Sequence, residues 1–308
     1  MATASDLQVS IIIPCYRDAV RVVTLVRILL AQDISKGHAF SIIIVDDGSN
    51  DDSSEQLSSL VCERVDVQFL PTNVGRARAR NHGARYAQAD FLMFLDADCQ
   101  PSSTTLLADH LRVHGPGVAA STGDVRGVGE GFWDRYQRDA SRRRRQQAAS
   151  DATYAGSSQN MMVLRTAFLA CGGFDEAYHA YGFEDRDLLL RLGKLGRIAW
   201  AMGEGVMHLD EISMGSVSRK MREAALLSAP LFARDHAKPY ERLGYSRIDA
   251  RLHPWLMPIG RMLNHRIQRW ANWVDRLIAL PYVPYAIKRF VVKATTALSF
   301  TCGSSVKV

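Results

Sequence analysis

None of the five cysteines (Cys15, Cys62, Cys99, Cys171, Cys302) has a partner at C-x-x-C spacing. An odd, scattered set builds neither a disulfide framework nor a zinc ribbon, and it fits a reducing compartment. No apolar run reaches the ~18 residues of a membrane-spanning helix. The opening MATASDLQ lacks a basic stretch followed by an apolar one, so neither a transmembrane segment nor a secretory leader is expected. Ten prolines and 22 glycines among 308 residues are too few for a collagen-like or low-complexity chain. Glycine is also missing where two nucleotide-binding folds need it. The first apolar run ends in Pro14-Cys15-Tyr16-Arg17-Asp18-Ala19. That excludes the G-x-G-x-x-G of a dinucleotide site, and it lacks the Gly-rich phosphate loop of a sugar-nucleotide pyrophosphorylase.

What is present is ordinary globular material, 47% apolar and 23% charged, with its charge unevenly spread. Up to Glu211 there are 22 Lys/Arg against 27 Asp/Glu; from Ile212 onward there are 16 against 5. An acidic body joined to a tail of net +11 implies two parts with different partners. The overall +6 and the run Arg142 to Arg145 raise the alternative of a basic nucleic-acid-binding protein. Bases stack on aromatic side chains, however, and this run is surrounded by Ser, Gln and Ala, so no nucleic acid is expected.

The first hundred residues alternate between strands and helices. VSIIIP (9–14), SIIIVDD (41–47), the shorter VQFLP (67–71) and FLMFLDAD (91–98) are β-branched or apolar runs of the kind buried on both faces of a sheet. A helix with Val22, Leu25, Val26 and Leu29 on one side follows the first run, and an Ala/Arg-rich helix spans 75–89. This β-α-β-α order predicts an α/β fold with a mostly parallel sheet. Residues 115–158 read as an excursion with at least one exposed helix. A strand at 160–165 and a helix over 184–195 are expected, then amphipathic helices over 217–233, 262–280 and 285–298. There is no internal repeat.

Three strands end in polar clusters, Pro14-Cys15-Tyr16, Asp46-Asp47 and Asp96-Ala97-Asp98. In open parallel sheets ligands gather beyond the carboxyl ends of the strands. Converging carboxylates repel one another and stay ionised only beside a cation or hydrogen-bond donors. Asp96-x-Asp98 directly after FLMFL suits a hard divalent cation with a diphosphate.

With VSIIIPCYR, IIIVDDGSNDDS, NVGRARARNHGA, FLMFLDADCQP, SSQNMMVLR, CGGFDEAYHAYGFEDRDLLLRL and VMHLDE in this order, the sequence resembles the inverting glycosyltransferases of family 2, which have a GT-A nucleotide-binding fold. The resemblance spans Val9 to Glu211 and implies a GT-A domain over 1–212; beyond it no family motif appears, and charge and helical spacing predict a basic amphipathic helical region over 213–308. It implies transfer of a hexosyl unit from a UDP- or dTDP-sugar to an acceptor hydroxyl of a glycan or lipid-linked acceptor, as in cell-surface polysaccharide or glycolipid synthesis. Pro14, Cys15, Tyr16 and one of Asp46 and Asp47 would read the base; a carboxylate on the N3–H of uracil accepts thymine equally. Arg80, with Arg78, would meet the diphosphate or hold the aspartates, and Asp96 and Asp98 would bind donor and metal. Asp185 matches the family's general base, with Glu184 beside it; Tyr181-Gly182-Phe183 stands where the family often has Trp-Gly-Gly. His208 matches a metal-binding His of one subset, and imidazole in an oxygen shell favours Mn2+ over Mg2+.

In the tail, Met262, Leu263, Ile267, Trp270, Val274 and Leu277 recur at helical spacing among Arg261, Arg266, Arg269 and Arg276. Such a stripe packs as core or lies on a membrane surface. The Trp/Arg pairing and a second basic stretch, Lys288, Arg289 and Lys293 beside Phe290, point to peripheral binding on the cytoplasmic face of an anionic membrane.

Overall fold

The computed structural model describes residues 7–34 and 38–306. The chain opens with β1 (Leu7–Cys15), α1 (Ala19–Leu30), β2 (His38–Asp46), α2 (Ser53–Ser58), β3 (Val65–Phe69) and α3 (Arg76–Tyr86). β4 (Phe91–Leu95), β5 (Cys99–Pro101), α4 (Leu106–Val113), β6 (Val118–Thr122), β7 (Val125–Gly127) and α5 (Phe132–Asp151) follow. Next come β8 (Asn160–Leu164), α6 (Arg165–Ala170), α7 (Glu184–Leu192), β9 (Arg197–Trp200) and β10 (Val206–His208). The remainder is helical: α8 (Met214–Glu223), α9 (Ala229–Asp235), α10 (Ala237–Arg242), α11 (Leu256–Asn264), α12 (Ile267–Ala279) and α13 (Tyr285–Ser304).

The chain divides into two compact units. The first comprises Met1–Gly129, Gln137–Glu176 and Leu188–Asp210; the second comprises Glu130–Tyr136, Ala177–Asp187 and Glu211–Val308. In the first, seven strands lie in the order β3-β2-β1-β4-β8-β6-β9. Only β8 runs against its neighbours, so the sheet is mainly parallel. Side chains alternate across a strand, and here the alternation fills two cores. Ile11, Ile13, Ile42, Ile44, Met93 and Leu95 meet Val22, Leu25 and Leu29 of α1. Ile12, Ile43, Val45, Leu92 and Phe94 meet Ala77 and Ala84 of α3 and Leu188 and Leu189 of α7. Gly83 lets α3 approach the sheet, because a Cβ there would lie 2.7 Å from Ile12 Cγ2.

The stretch read as an excursion contains more order than its sequence suggests. β6 (VAAST) is wholly buried between β8 and β9, and α5 runs for 20 residues. Three short strands form a second sheet in the order β5-β10-β7.

In the second unit Met214, Ala271, Val274, Ile278 and Val292 form a core shared by α8, α12 and α13. Two expected helices are interrupted. A π-turn at Ala224–Ser228 separates α8 from α9, and α11 ends before α12 begins at Ile267. α13 runs on past 298 to Ser304 because Phe300 to Ser304 are buried. Lys288, expected among the outward basic residues, is instead 9% exposed and its ammonium donates to the Ile278 carbonyl at 2.6 Å.

Candidate active site

Strand register gathers the polar ends in the first unit. Cys15 pairs with Asp46 across β1 and β2, and Asp96 follows the last residue of the neighbouring β4. Pro14 is half-buried and Cys15 buried, and Tyr16 is exposed with the Arg17 guanidinium 5.1 Å from its ring. Burial, with the nearby aspartates, pushes the Cys15 thiol up to about 12 despite a backbone hydrogen bond, so it is no nucleophile at neutral pH. Asp46 accepts from the Ser49 N–H at 3.2 Å and the Ser54 hydroxyl at 3.0 Å. Asp47 accepts from the N–H groups of Val74 and Gly75 at 2.8 and 3.0 Å, tying this loop to the entrance of α3. Burial raises the Asp47 pKa, and those two N–H groups oppose the rise. Between the loops Gly48 has φ +71°, and a Cβ there would meet the Thr72 carbonyl carbon at 2.3 Å. No other residue fits.

The α3 arginines divide. Arg80 is 1% exposed, donates to Asp96 at 2.6 Å, and lies 5.3 Å from the Phe174 ring. Arg78 is half-exposed and pairs with Glu176 at 3.2 Å. Asn81 donates to the Phe174 carbonyl at 2.8 Å and accepts from its N–H at 2.9 Å. α3 therefore holds Asp96 through Arg80 and the loop at 172–176 through Asn81 and Arg78.

Antiparallel pairing of β5 with β10 sets His208 opposite Cys99, next to Asp98. His208 Nε2 lies 3.3 Å from Asp98 Oδ2, and the Leu209 N–H donates to the Asp98 carbonyl at 2.8 Å. Asp210 joins them: one ligand atom from each of Asp98, His208 and Asp210 lies within 4.8 Å of the others. Burial pushes the Asp98 carboxyl up, but the His208 hydrogen bond and charge, the Cys99 thiol and Arg76 outweigh it and hold it at about 2. Two carboxylates and an imidazole at this spacing form a donor set that fits a divalent metal ion. Asp210 was not singled out from sequence, although residues two apart in extended chain face the same way. Arg21, which donates to Asp210 at 2.5 Å, carried no sequence signal at a separation of 189 residues.

Within the second unit, Glu184 and Asp185 open α7, with Asp187 in the same first turn. Glu184 is 7% exposed, and one oxygen of Asp185 is buried without a hydrogen-bond partner. Phe183, just before the pair, has φ +72°, a strained conformation for a bulky residue. An aromatic cluster holds it there, with Phe232 and Tyr245 each 4.9 Å away. His236, which had no context in the sequence, meets Asp187 at 2.8 Å.

Residues 10–172 match the family model described as Glycosyl transferase family 2. The chain belongs to that family. Among curated relatives of this glycosyltransferase, an uncharacterized glycosyltransferase of Haemophilus influenzae is 46% identical over 59 residues, 18% of this chain and 24% of that one. An undecaprenyl-phosphate 4-deoxy-4-formamido-L-arabinose transferase of Pseudomonas syringae pv. syringae is 38% identical over 96 residues, 30% of this chain and 28% of that one. The matched stretches span about a quarter of those relatives. Similar folds occur in the mannosyltransferase PcManGT of Pyrobaculum calidifontis, solved with GDP-Man and Mn2+ (TM-score 0.62, 16% identity, 97% of this chain and 86% of that one). They occur too in S. aureus TarS 1-349 with UDP-GlcNAc (TM-score 0.52, 18% identity, 97% and 90%). The fold is GT-A.

Proposed function

We propose that this family 2 glycosyltransferase moves a hexosyl unit from a UDP- or dTDP-sugar to an acceptor hydroxyl with inversion, using residues 1–212 as the GT-A domain. The observation that carries the reading is the convergence of Asp98, His208 and Asp210 beyond the end of β4, where a GT-A fold receives the donor diphosphate. A bound Mn2+ or Mg2+ would offset charge on the departing diphosphate. The protein's own groups prepare that place: Arg80 holds Asp96, and Arg21 holds Asp210. Cys15, Tyr16 and the Asp46-Asp47 loop take the base, and Arg78 lies on the same helix as Arg80 as a further cation toward the donor.

In the transfer, the acceptor oxygen forms a bond to the anomeric carbon as the bond from that carbon to the diphosphate oxygen breaks. The electron pair leaves with the diphosphate, and the acceptor's proton passes to a carboxylate. We assign that base to Asp185, whose buried oxygen has no partner of its own, with Glu184 orienting the acceptor.

The relative that bears undecaprenyl-phosphate in its name supports a lipid-linked acceptor. No helix among the described residues is long and apolar enough to cross a membrane. The helical region 213–308 would then act as a peripheral anchor to an anionic cytoplasmic surface, through Trp270, Trp273 and Phe290 with Arg266, Arg269 and Arg276. A panel of UDP-, dTDP- and GDP-sugars, assayed for hydrolysis with Mn2+, Mg2+ or chelator, tests the donor and the metal together. Hydrolysis equal with and without chelator would remove the metal from the mechanism, and GDP-sugar preference would remove the uracil-type base reading.

A further inference from the structure

The run Arg142 to Arg145 and the helix around it found no role in the reading above, yet one stripe of α5 leads to the metal cluster. Gln137, Ser141 and Arg145 are spaced i, i+4, i+8 and share one face of the helix. Ser141 donates to Asp124 Oδ1 at 2.5 Å, and the Arg145 guanidinium binds Asp124 Oδ2. Arg126 adds a contact at 3.2 Å, and Asp124 is 2% exposed. The Asp124 carbonyl accepts from the Val206 N–H at 3.0 Å. That bond starts the pairing of β7 with β10, whose last residue is His208. Asp124 thus fixes both the helix and the strand. At the far end of the stripe, Gln137 Nε2 lies 3.1 Å from His208 Nδ1.

We propose that Gln137 is a positioning residue for His208, held in register by the Ser141 and Arg145 contacts to Asp124. The proposal rests on the metal-site reading above. A metal-binding histidine coordinates through one ring nitrogen, and the partner of the other nitrogen sets ring orientation and tautomer. His208 Nε2 faces Asp98, so Nδ1 is the nitrogen left to be set. A carboxamide serves both states of the ring. Its N–H₂ donates to Nδ1 when Nε2–H points at Asp98. Its oxygen accepts from Nδ1–H, after a half-turn, when the Nε2 lone pair is given to a cation.

Mn2+ binding to the full chain with UDP present, read from the EPR signal of free Mn2+, tests this. Gln137→Leu should weaken Mn2+ binding about 10- to 100-fold, with the metal-free melting temperature unchanged. Gln137→Glu, whose carboxylate accepts from Nδ1–H, should bind at least as tightly as the wild type. Equal Mn2+ affinity in wild type and Gln137→Leu overturns the proposal, as does a weakening that Gln137→Glu leaves unrepaired. A wild-type chain that takes up no Mn2+ overturns the metal site itself, which is a different and separately visible result.

Discussion

The α/β unit and the helical unit use charge in opposite ways. At the carboxyl ends of the parallel strands nearly every ionised group is committed to another: Asp96 to Arg80, Asp98 to His208, Asp210 to Arg21, Asp47 to two backbone N–H groups. In the helical unit the arginines of α12 face outward beside Trp270 and Trp273, which are 45% and 47% exposed and stacked 4.9 Å apart. Phe290 and Tyr282 are 72% and 76% exposed. Fixed dipoles and paired charges suit a ligand of one geometry, because they need no reorganisation when it arrives. Uncommitted cations around exposed aromatics suit a partner without fixed geometry. Substitutions at the strand ends and at the acidic turn opening α7 should therefore change transfer, and substitutions on the outer surface of α12 and α13 should change surface binding.

The largest effect is expected at Asp185. Asp185→Asn keeps the shape and removes the proton acceptor, and a positioned general base contributes roughly 10²- to 10⁴-fold. Transfer should fall by that factor while donor binding, measured by calorimetry, holds. Near-normal turnover would sink the assignment. Next comes the metal cluster. His208→Ala or Asp210→Ala should cost about a hundredfold in transfer, which corresponds to losing about 2.7 kcal/mol of charge stabilisation. UDP affinity should drop only when Mn2+ is present. An equal drop in chelator would mean that these residues support the fold and not the donor.

How far these residues could be read from sequence depends on how local their cause is. β1, β2 and β4 were legible because burial on both faces forces continuous apolar runs. β6 was not, since Val-Ala-Ala-Ser-Thr is small and weakly apolar and becomes core only because β8 and β9 flank it. Asp98 and His208 were legible as motifs, but that they meet follows from β5–β10 pairing across more than a hundred residues. Lys288 shows the limit from the other side. Its spacing among Arg289 and Lys293 reads as a basic face, whereas its ammonium caps the Ile278 carbonyl in the interior. The left-handed Phe183 has no local signature at all, because the aromatic cluster that enforces it comes from residues 232–245.

A pH effect is expected from two buried histidines of the α/β unit. His110 is fully buried, with its ring nitrogens 2.7 Å from Ser121 Oγ and 2.8 Å from Asn160 Oδ1. Burial pushes its pKa down to about 4, against the Asn160 hydrogen bond and the Asp109 charge. Burial and the His110 charge do the same to His114. Above about pH 6.5 both imidazoles are neutral folded and unfolded, and they cost nothing. As pH falls from there to about 4, the unfolded chain takes up protons that the folded chain refuses. Stability is therefore lost on acidification, on the order of 3 kcal/mol for His110 by pH 4. Urea unfolding at about pH 7 and pH 5 should show the loss, and His110→Gln should flatten it. An unchanged slope in that variant would assign the acid sensitivity elsewhere.

The smallest expected effects lie on the helical surface, and the fold dictates how to look for them. Removing the chain beyond about Arg251 would strip Val274, Ile278 and Val292 from the core they share with Met214, so truncation would confound anchoring with unfolding. Single surface changes avoid this. On α12, Trp270 turns toward α13, where its indole donates to Thr295 at 3.0 Å, so Trp273 is the cleaner apolar probe. Binding of the full chain to vesicles containing anionic lipid should weaken in Trp273→Ala and Phe290→Ala, through lost apolar burial at the interface. Arg266→Gln and Arg269→Gln should each weaken it about fivefold at low salt, since a basic residue near an anionic surface contributes about 1 kcal/mol. High salt should erase that fivefold difference and leave the aromatic contribution. Lys288→Gln should instead lower the melting temperature with little change in vesicle binding, because its ammonium is spent on a carbonyl inside the unit. Throughout, soluble-donor hydrolysis should hold at the wild-type rate. A chain that ignores anionic vesicles, or variants that lose hydrolysis along with binding, would erase the division of labour between the carboxylate sites and the helical surface.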